Sequence, residues 1–284
     1  FMAKQKREVE VVVLSDIHLG TYGCHAKELV AYLKSVSPKV LILNGDVIDG
    51  WAFSKRYFPN SHMAVLSEFF KMMKKGTQVI YITGNHDEFL RKYTDLSMGN
   101  LFLTDKYLLE IEGKKYWIFH GDVFDHTTSG GAKFIAKLGG MGYDWLILVN
   151  RAINWILEKF GKGKVSLSKK VKNSVKKAVK FIGDFEKKAT EIAINNHYDY
   201  VICGHIHQPA DKIWTTEKGS VHYLNSGDWI ENLSWLEFDK GTWNLKFFNE
   251  KEFEKPIIEK NDISVNMEEL IHPKVFAEFA TQKV

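Results

Sequence analysis

The stretch VEVVVLSDIHLG, residues 9–20, contains the pattern that decides the fold. It joins a largely apolar, β-branched run to two polar side chains, Asp16 and His18. Short runs that are almost entirely apolar are typical of strands buried on both faces of a sheet. Four further runs of this kind also end in polar residues: 40–43 before NGDVIDGW, 79–82 before TGNHDEF, 116–119 before HGDVFD and 200–203 before GHIHQP. The recurrence predicts buried strands that end in polar loops.

Helical-looking segments separate several of these runs, for example HAKELVAYLKSV (25–36) and HMAVLSEFFKMMKK (62–75). Alternation of strand and helix predicts a layered α/β domain. In such a domain the loops after the carboxyl ends of the strands meet at one edge, where ligands bind. Each predicted strand end carries Asp, Asn or His, which indicates a shared metal or ligand site. Four glycines beside these residues would leave room for sharp turns and for an ion: Gly45, Gly84, Gly121 and Gly204.

The GHIHQP segment places His205 and His207 two positions apart. In an extended segment such residues point the same way, so both imidazoles would face one point. Taken alone, the segment also fits two surface histidines on a loop. Five polar strand ends considered together favour metal ligation.

Composition places the chain among ordinary soluble proteins. Its 284 residues are 45% hydrophobic and 26% charged, with a formal net charge of +4. This length suits one large domain, or one domain with a sizeable insertion. Two cysteines, Cys24 and Cys203, provide no disulfide framework, so a cytoplasmic location is expected. No signal peptide and no membrane span is expected, and the mild positive charge does not by itself imply nucleic acid.

The five polar blocks occur in a fixed order: D-x-H (Asp16, His18), G-D-x-x-D (Asp46, Asp49), G-N-H-D (Asn85, His86, Asp87), H-G-D (His120, Asp122) and G-H-x-H (His205, His207). Together they resemble the motif of calcineurin-like metallophosphoesterases. The resemblance implies an α/β (α+β) fold, a four-layer α-β-β-α sandwich with a helical cap insertion. It covers the chain from Asp16 to His207.

The same resemblance implies a site for two divalent metal ions per chain. One ion would be held by Asp16, His18 and His207, and the other by Asn85, His120 and His205. The Asp46 carboxylate would bridge them. Carboxylate, amide and imidazole donors without thiolate suit manganese, iron or zinc in an open catalytic site, and manganese is the expected metal.

Three further roles follow from the family pattern. His86 is expected to stabilise the transition state or protonate the leaving oxygen, with Asp87 orienting its ring. Asp49 is expected to orient a ligand histidine. For Asp122 two readings stay open: the same orienting role, or satisfaction of turn amides.

The segment between HGDVFD and GHIHQP is longer than a crossover needs, which predicts an insertion. We expect a core of residues 8–126 and 195–250, a lysine-rich helical cap of residues 127–194, and a C-terminal tail of residues 251–284. The cap would contain an amphipathic helix at 143–160 and a stretch, 162–180, with eight lysines and no acid. That basic face is either an ordinary solvated face or a surface for an anionic substrate and an anionic membrane.

Four motifs indicate a particular subgroup of the metallophosphoesterases: GDVIDGW, GNHDEFLRK, GHIHQPA and LNSGDW (224–229). With the helical insertion, they resemble the UDP-2,3-diacylglucosamine pyrophosphatases of lipid A synthesis. Those enzymes cleave an acylated UDP-sugar to UMP and an acyl-sugar 1-phosphate at the inner membrane face, with manganese. One position departs from the group, whose best-known members have arginine where this chain has His86. The expected substrate contacts are Trp51, Arg56, Lys169 and Lys170.

The sequence is therefore compatible with three functions. The first is hydrolysis of an acylated UDP-sugar, with the protein peripheral at the inner face of the cytoplasmic membrane. The second is a soluble phosphodiesterase or phosphatase acting on nucleotides or phosphoproteins. The third is an inactive phosphoesterase-fold scaffold, which the intact set of seven ligand residues disfavours. No nucleic-acid partner is expected, and the sequence leaves the oligomeric state open.

Overall fold

The computed structural model describes residues 6–51, 57–125 and 168–253, with only the backbone described within 168–177. Its α-helices are α1 (Ala26–Ser35), α2 (Asn60–Lys74) and α3 (Ser168–Asn195), with short 3-10 helices at Glu88–Tyr93 and Asp122–Phe124. Its strands are β1 (Arg7–Leu14), β2 (Val36–Asn44), β3 (Gln78–Ile82), β4 (Ser97–Met98), β5 (Leu101–Thr104), β6 (Lys106–Ile111), β7 (Lys114–Phe119), β8 (Tyr200–Cys203), β9 (Ala210–Thr216), β10 (Gly219–Asn225), β11 (Ser234–Asp239) and β12 (Thr242–Phe247).

The strands form two sheets. The first has seven strands in the order β12-β11-β1-β2-β3-β5-β4, and the second has five in the order β6-β7-β8-β10-β9. β1, β2, β3 and β5 run parallel in the first sheet, and β7, β8 and β10 run parallel in the second. Antiparallel strands flank both parallel groups. The carboxyl ends of the parallel strands within each sheet therefore lie at a common edge.

Alternation along β1 shows how the layers form. Val11 and Val13 are buried between the two sheets, whereas Val12 and Leu14 are buried against the helices on the outer face. This is the two-residue period of a strand that is covered on both sides.

Each sheet carries helices on its outer face. Leu29 and Leu33 of α1 lie in the same cluster as Phe69 of α2 and the outer face of the first sheet. Glu28 in the first turn of α1 and Lys34 in its last turn complement the helix dipole. On the second sheet, the cluster contains the C-terminal half of α3 and residues of β8 and β10: Phe185, Ala189, Ala193, Val201, Cys203, Val221 and Tyr223. The order helix, sheet, sheet, helix confirms the expected four-layer sandwich.

The predicted insertion is described only in part. The amphipathic segment at 143–160 and the tail beyond residue 253 lie outside the described residues. Of the basic stretch 162–180, the structure describes residues 168–180, which lie in α3. This helix begins at Ser168 and continues without interruption for 28 residues, to Asn195. Residues 185–194 already contribute to the core of the second sheet. The division into core, cap and tail stays a prediction.

Within the described residues, no helix combines the length and apolar character needed to cross a bilayer.

Candidate metal centre

Five of the predicted ligand residues adopt an uncommon backbone conformation. Positive φ angles of 51° to 67° occur at Asp16, His18, Asp46, His205 and His207. This left-handed region is costly for residues other than glycine, and it concentrates at functional sites. Hydrogen bonds between the loops hold the conformation: Asp16 N–H donates to the Gly45 carbonyl (3.1 Å), and His18 N–H donates to the Asp46 carbonyl (2.9 Å). The loops after β1 and β2 therefore form one interlocked unit.

Close approach explains two of the glycines in these loops. A Cβ atom on Gly84 would lie 2.6 Å from the backbone nitrogen of Asp46 and closer still to its carboxylate. A Cβ atom on Gly45 would overlap the imidazole of His120, and Gly45 also has a φ of +80°. Any larger residue at either position would displace Asp46 or His120. These glycines are needed for space around the candidate ligands.

A first group of donor atoms comes from the loops after β1 and β8. His207 Nε2 lies 3.3 Å from Asp16 Oδ1 and 3.4 Å from His18 Nε2. One donor atom from each of these three residues lies within 4.8 Å of the others, a spacing at which they could hold one ion. The three residues are those expected to hold the first metal.

A second group joins the two sheets. Asp46, from the loop after β2, forms a further cluster with His120 and His205, which follow β7 and β8. The Asp46 Oδ2 atom lies 3.2 Å from His120 Nε2 and 3.9 Å from His18 Nε2. Asp46 thus reaches both groups, as a bridging carboxylate must.

Several polar atoms at this edge are buried and form no well-aligned hydrogen bond within the part of the chain that the structure describes, although three of them lie near charged groups: Asp16 Oδ1, Asn85 Oδ1, His86 Nδ1 and His120 Nε2. Leaving a buried polar atom unsatisfied costs about 1–3 kcal/mol, so each needs an explanation. His120 Nδ1 lies 2.9 Å from the Asn44 carbonyl, to which it can donate, and this leaves Nε2 as the nitrogen with a free lone pair. Oxygen and imidazole donors of this kind fit a divalent metal ion.

The charges at the site are strongly coupled. Burial opposes the charged form of His18, but Asp49, Asp46 and Asp16 outweigh it and raise the His18 pKa to about 9. Burial likewise opposes ionisation of Asp46, but His120, together with His86 and His18, holds the Asp46 pKa well below its usual range. A divalent cation would supply the positive charge that these carboxylates otherwise draw from protonated histidines.

His86 lies at the same edge and is 9% exposed. Its Nδ1 atom is 3.2 Å from Asp49 Oδ1, and its ring packs edge-on against that of His18, with centroids 4.5 Å apart. The indole of Trp51, half exposed, covers the His86 ring at a centroid distance of 4.0 Å. His86 also lies within donor distance of His18 and Asp46, so the geometry is compatible with a ligand as well as a catalytic acid.

The carboxylate beside His86 belongs to Asp49 and not, as expected, to Asp87. Asp87 Oδ1 accepts from Gly84 N–H (2.6 Å), while its Oδ2 accepts from Val47 N–H (2.9 Å) and from the Tyr81 hydroxyl (2.7 Å). Asp87 therefore ties the loops after β2 and β3 together. Asp49, whose Oδ2 is 3.8 Å from His18 Nδ1, lies between two histidines of the site.

The remaining predicted residues are placed as follows. Asp122 forms an ion pair with Arg91 (2.6 Å), which links the 3-10 helices after β3 and β7. Of the expected substrate contacts, Trp51 lies at the site, and Arg56 lies outside the described residues. Lys169 and Lys170 lie in the first turn of α3, where only the backbone is described.

Two carboxylates that face the predicted ligand histidines were missed from the sequence. Asp125 Oδ1 lies 2.8 Å from His205 Nε2, and Asp228 Oδ2 lies 3.7 Å from His207 Nδ1. Asp125 lies in the motif HGDVFD, which follows β7, and Asp228 lies in LNSGDW, where β10 ends. An acidic residue a few positions after a buried strand is the sequence signal that could have identified both carboxylates.

Comparison with known proteins identifies the family of the chain. The family model of the calcineurin-like phosphoesterases matches residues 9–209, and the chain belongs to that family. Among curated relatives, the UDP-2,3-diacylglucosamine hydrolase of Aliivibrio fischeri (strain MJ11) is 24% identical over 247 residues, which cover 86% of this chain and 99% of the relative.

There are two further matches of interest, one to a curated relative and one to a solved structure. The UDP-2,3-diacylglucosamine hydrolase of Shigella sonnei (strain Ss046) is 27% identical over 172 residues, 60% of this chain and 69% of the relative. Among solved structures, an archaeal phosphodiesterase is 15% identical with a TM-score of 0.39, covering 84% of this chain and 98% of that one.

Proposed function

We propose that this protein is a phosphoester hydrolase with two divalent metal ions, manganese in the first instance, and that its substrate is an acylated UDP-sugar. The observation that carries the metal proposal is the set of buried ligand atoms around Asp46 that form no well-aligned hydrogen bond and lie close enough together to share an ion. These donors come from loops of both sheets and converge at one edge. The relatives named UDP-2,3-diacylglucosamine hydrolase support the substrate proposal, because the similarity extends over nearly their whole length.

The proposed ligands follow two of the clusters of donor atoms, and Asn85 is added on the family resemblance. Asp16, His18 and His207 would hold one ion, and His120, His205 and Asn85 the other, with Asp46 shared between them. Divalent ions at such a site neutralise phosphate oxygens and lower the pKa of water, which supplies the nucleophile.

His86 would donate a proton to the leaving oxygen. With Nδ1 beside the Asp49 carboxylate, its other nitrogen is left for the substrate. To donate from Nε2 while Nδ1–H faces a carboxylate, the ring must carry protons on both nitrogens. Asp49 would face the Nδ1 proton and hold the ring angle, and the Nε2 proton would pass to the leaving oxygen, which leaves His86 neutral. Trp51 covers one face of the ring and would exclude water from the proton-transfer path.

The first test compares metal content and products. Protein reconstituted with manganese is expected to hold about two ions per chain by elemental analysis, as a two-metal site requires. It should convert an acylated UDP-sugar to UMP and the acyl-sugar 1-phosphate, which mass spectrometry would identify. Less than about half an ion per chain after reconstitution with manganese or zinc would contradict the two-metal proposal. Two ions combined with turnover of simple diesters alone would favour the soluble phosphodiesterase.

Membrane contact by the basic part of α3 is a separate part of the proposal. Replacing Lys169, Lys170, Lys172 and Lys176 with glutamine should weaken binding to anionic vesicles and raise KM for the acylated substrate. Lysines near an anionic surface contribute about 1 kcal/mol each, and salt screens the attraction within about 8–10 Å. Hydrolysis of a small soluble diester should change little, because the metal centre is untouched.

A charge-matched control distinguishes this effect from general loss of positive charge. Lys34, Lys71, Lys74 and Lys75 are exposed lysines of the α1–α2 layer, on the opposite face of the sandwich from α3. Their replacement by glutamine should leave vesicle binding near the wild-type level. Equal co-sedimentation of the two quadruple variants, or equal kinetics on both substrates, would make α3 an ordinary solvated helix.

A further inference from the structure

We infer that Asp125 and Asp228 are positioning residues that select which ring nitrogen of His205 and of His207 is left for a metal ion. The inference rests on the proposed metal centre and goes beyond it by assigning two carboxylates outside the expected ligand set. The two acids approach the GHIH segment from different parts of the chain. Asp125 follows the 3-10 helix after β7, and Asp228 follows β10.

His205 can present only one nitrogen to an ion once Asp125 is in place. Its Nε2 atom lies 2.8 Å from Asp125 Oδ1, and a carboxylate at this distance accepts a hydrogen bond from Nε2–H. The lone pair is then on Nδ1. The ring is also enclosed by His120 and Phe185, whose centroids lie 5.1 and 6.2 Å from its own.

His207 shows the opposite choice. Its Nε2 atom faces Asp16 and His18, and its Nδ1 atom faces Asp228 Oδ2 at 3.7 Å. Asp228 is itself fully buried, with Oδ1 accepting from the backbone N–H groups of residues 230–232 and Oδ2 accepting from Asn232 Nδ2 (2.6 Å). The same amide of Asn232 donates to the His207 carbonyl (2.9 Å). Asp228 is therefore fixed in place before any ion binds.

Backbone conformation makes this support necessary. His205 and His207 have φ angles of 67° and 53°, a conformation that costs energy and persists only when contacts enforce it. A small shift of either loop would move the imidazole out of the ligand position. Asp125 forms such a hydrogen bond with His205 (2.8 Å), and loss of a hydrogen bond to the second nitrogen of a ligand histidine typically lowers metal affinity by about 10–100-fold. Asp228 lies 3.7 Å from His207 Nδ1, beyond hydrogen-bond distance, so it acts on His207 through its charge and its effect is smaller.

The experiment measures metal binding and ring tautomers rather than turnover. Titration of the full-length apoprotein with Mn²⁺ should show that Asp125→Ala weakens one of the two binding steps by about 10–100-fold, and that Asp228→Asn weakens the other by a smaller factor. Asp125→Asn keeps an acceptor oxygen and should restore part of the loss. Asp211→Ala is the matched control, because Asp211 forms an exposed His–Asp pair with His222, which is not one of the proposed ligands. It should leave both steps unchanged.

Histidine ring ¹⁵N spectra of the zinc-loaded protein provide the second readout. Asp125→Ala should change the tautomer signals of His205 alone, and Asp228→Asn those of His207 alone. Wild type that binds no Mn²⁺ would contradict the proposed function. Wild type that binds two ions, with variants that match it in both titration and spectra, would contradict the positioning role. If Asp125→Ala fails to fold, Asp125→Asn decides the question through the same two measurements.

Discussion

Replacing Asp46 with asparagine is expected to remove nearly all phosphoester hydrolysis and to reduce metal content from two ions towards one or none. The Asp46 Oδ2 atom is the donor that approaches both His18 and His120. Charge neutralisation by metal ions contributes several kcal/mol to a phosphoryl transition state. At about 1.4 kcal/mol per factor of ten, the loss should exceed roughly a thousand-fold in kcat.

The fold should tolerate this substitution, which makes the result interpretable. Asparagine keeps the volume of the side chain. It also keeps an oxygen that can accept from the backbone N–H of His86, a hydrogen bond of 2.8 Å in the structure. Elemental analysis and steady-state kinetics of the variant would be compared with those of Asp211→Asn, which removes a charge from an exposed pair. A variant that retained two ions and wild-type turnover would exclude Asp46 as the bridge.

Replacing His86 with alanine should give the second largest effect, a decrease of about 10²–10⁴-fold in kcat with both ions retained. The physical reason is that proton donation to the leaving oxygen is lost while the proposed ligands stay intact. The decrease should be smaller for p-nitrophenyl esters, because a good leaving group needs less protonation. Kinetics on a matched pair of good and poor leaving groups, together with metal analysis, measures both parts.

Asp49→Asn complements this test because Asp49 lies 3.2 Å from His86 Nδ1 and is not the proposed proton donor. It should lower turnover less than His86→Ala does, because the imidazole is kept and only the carboxylate that holds its angle is lost. If His86→Ala instead released one ion, His86 would be a ligand. An equal decrease on both leaving groups would argue against a general acid.

The strand-end pattern predicted most of the site because its physical basis is topological. Parallel strands in a layered fold bring their carboxyl ends together, so a polar residue after each buried run is placed at one edge without any knowledge of side-chain packing. The run Tyr200–Cys203 coincides with β8. In contrast, β2 begins at Val36, earlier than the apolar run at 40–43, because residues 36–38 pair with residues 7–9 of β1. That pairing forms only in the folded sheet. Pro38 argues against a strand at this position when the sequence is considered alone, because proline is uncommon within strands.

What the sequence could not supply is the choice between neighbouring acids. Asp87 follows His86 directly along the chain, whereas Asp49 lies in an earlier loop. Only folding shows that Asp49 is the acid beside the His86 ring and that Asp87 accepts from backbone N–H groups. Strand β11, SWLEFD, was hidden for a related reason. Its Glu237 is buried because Arg7, Tyr32 and Trp235 all bond to its carboxylate, so an acid interrupts a run that is otherwise apolar.

The origin of the donors in two sheets has a consequence for assembly of the protein. Asp16, Asp46 and Asn85 follow strands of the first sheet, whereas His120 and His205 follow strands of the second. Ions held between them would act as cross-links that join the sheets at this edge and close loops over most of the core. Metal affinity would then depend on both sheets being folded, so a fragment that ends before β8 should bind neither ion tightly. Chelation would withdraw the same cross-links and leave the apolar layer between the sheets to hold the sandwich alone.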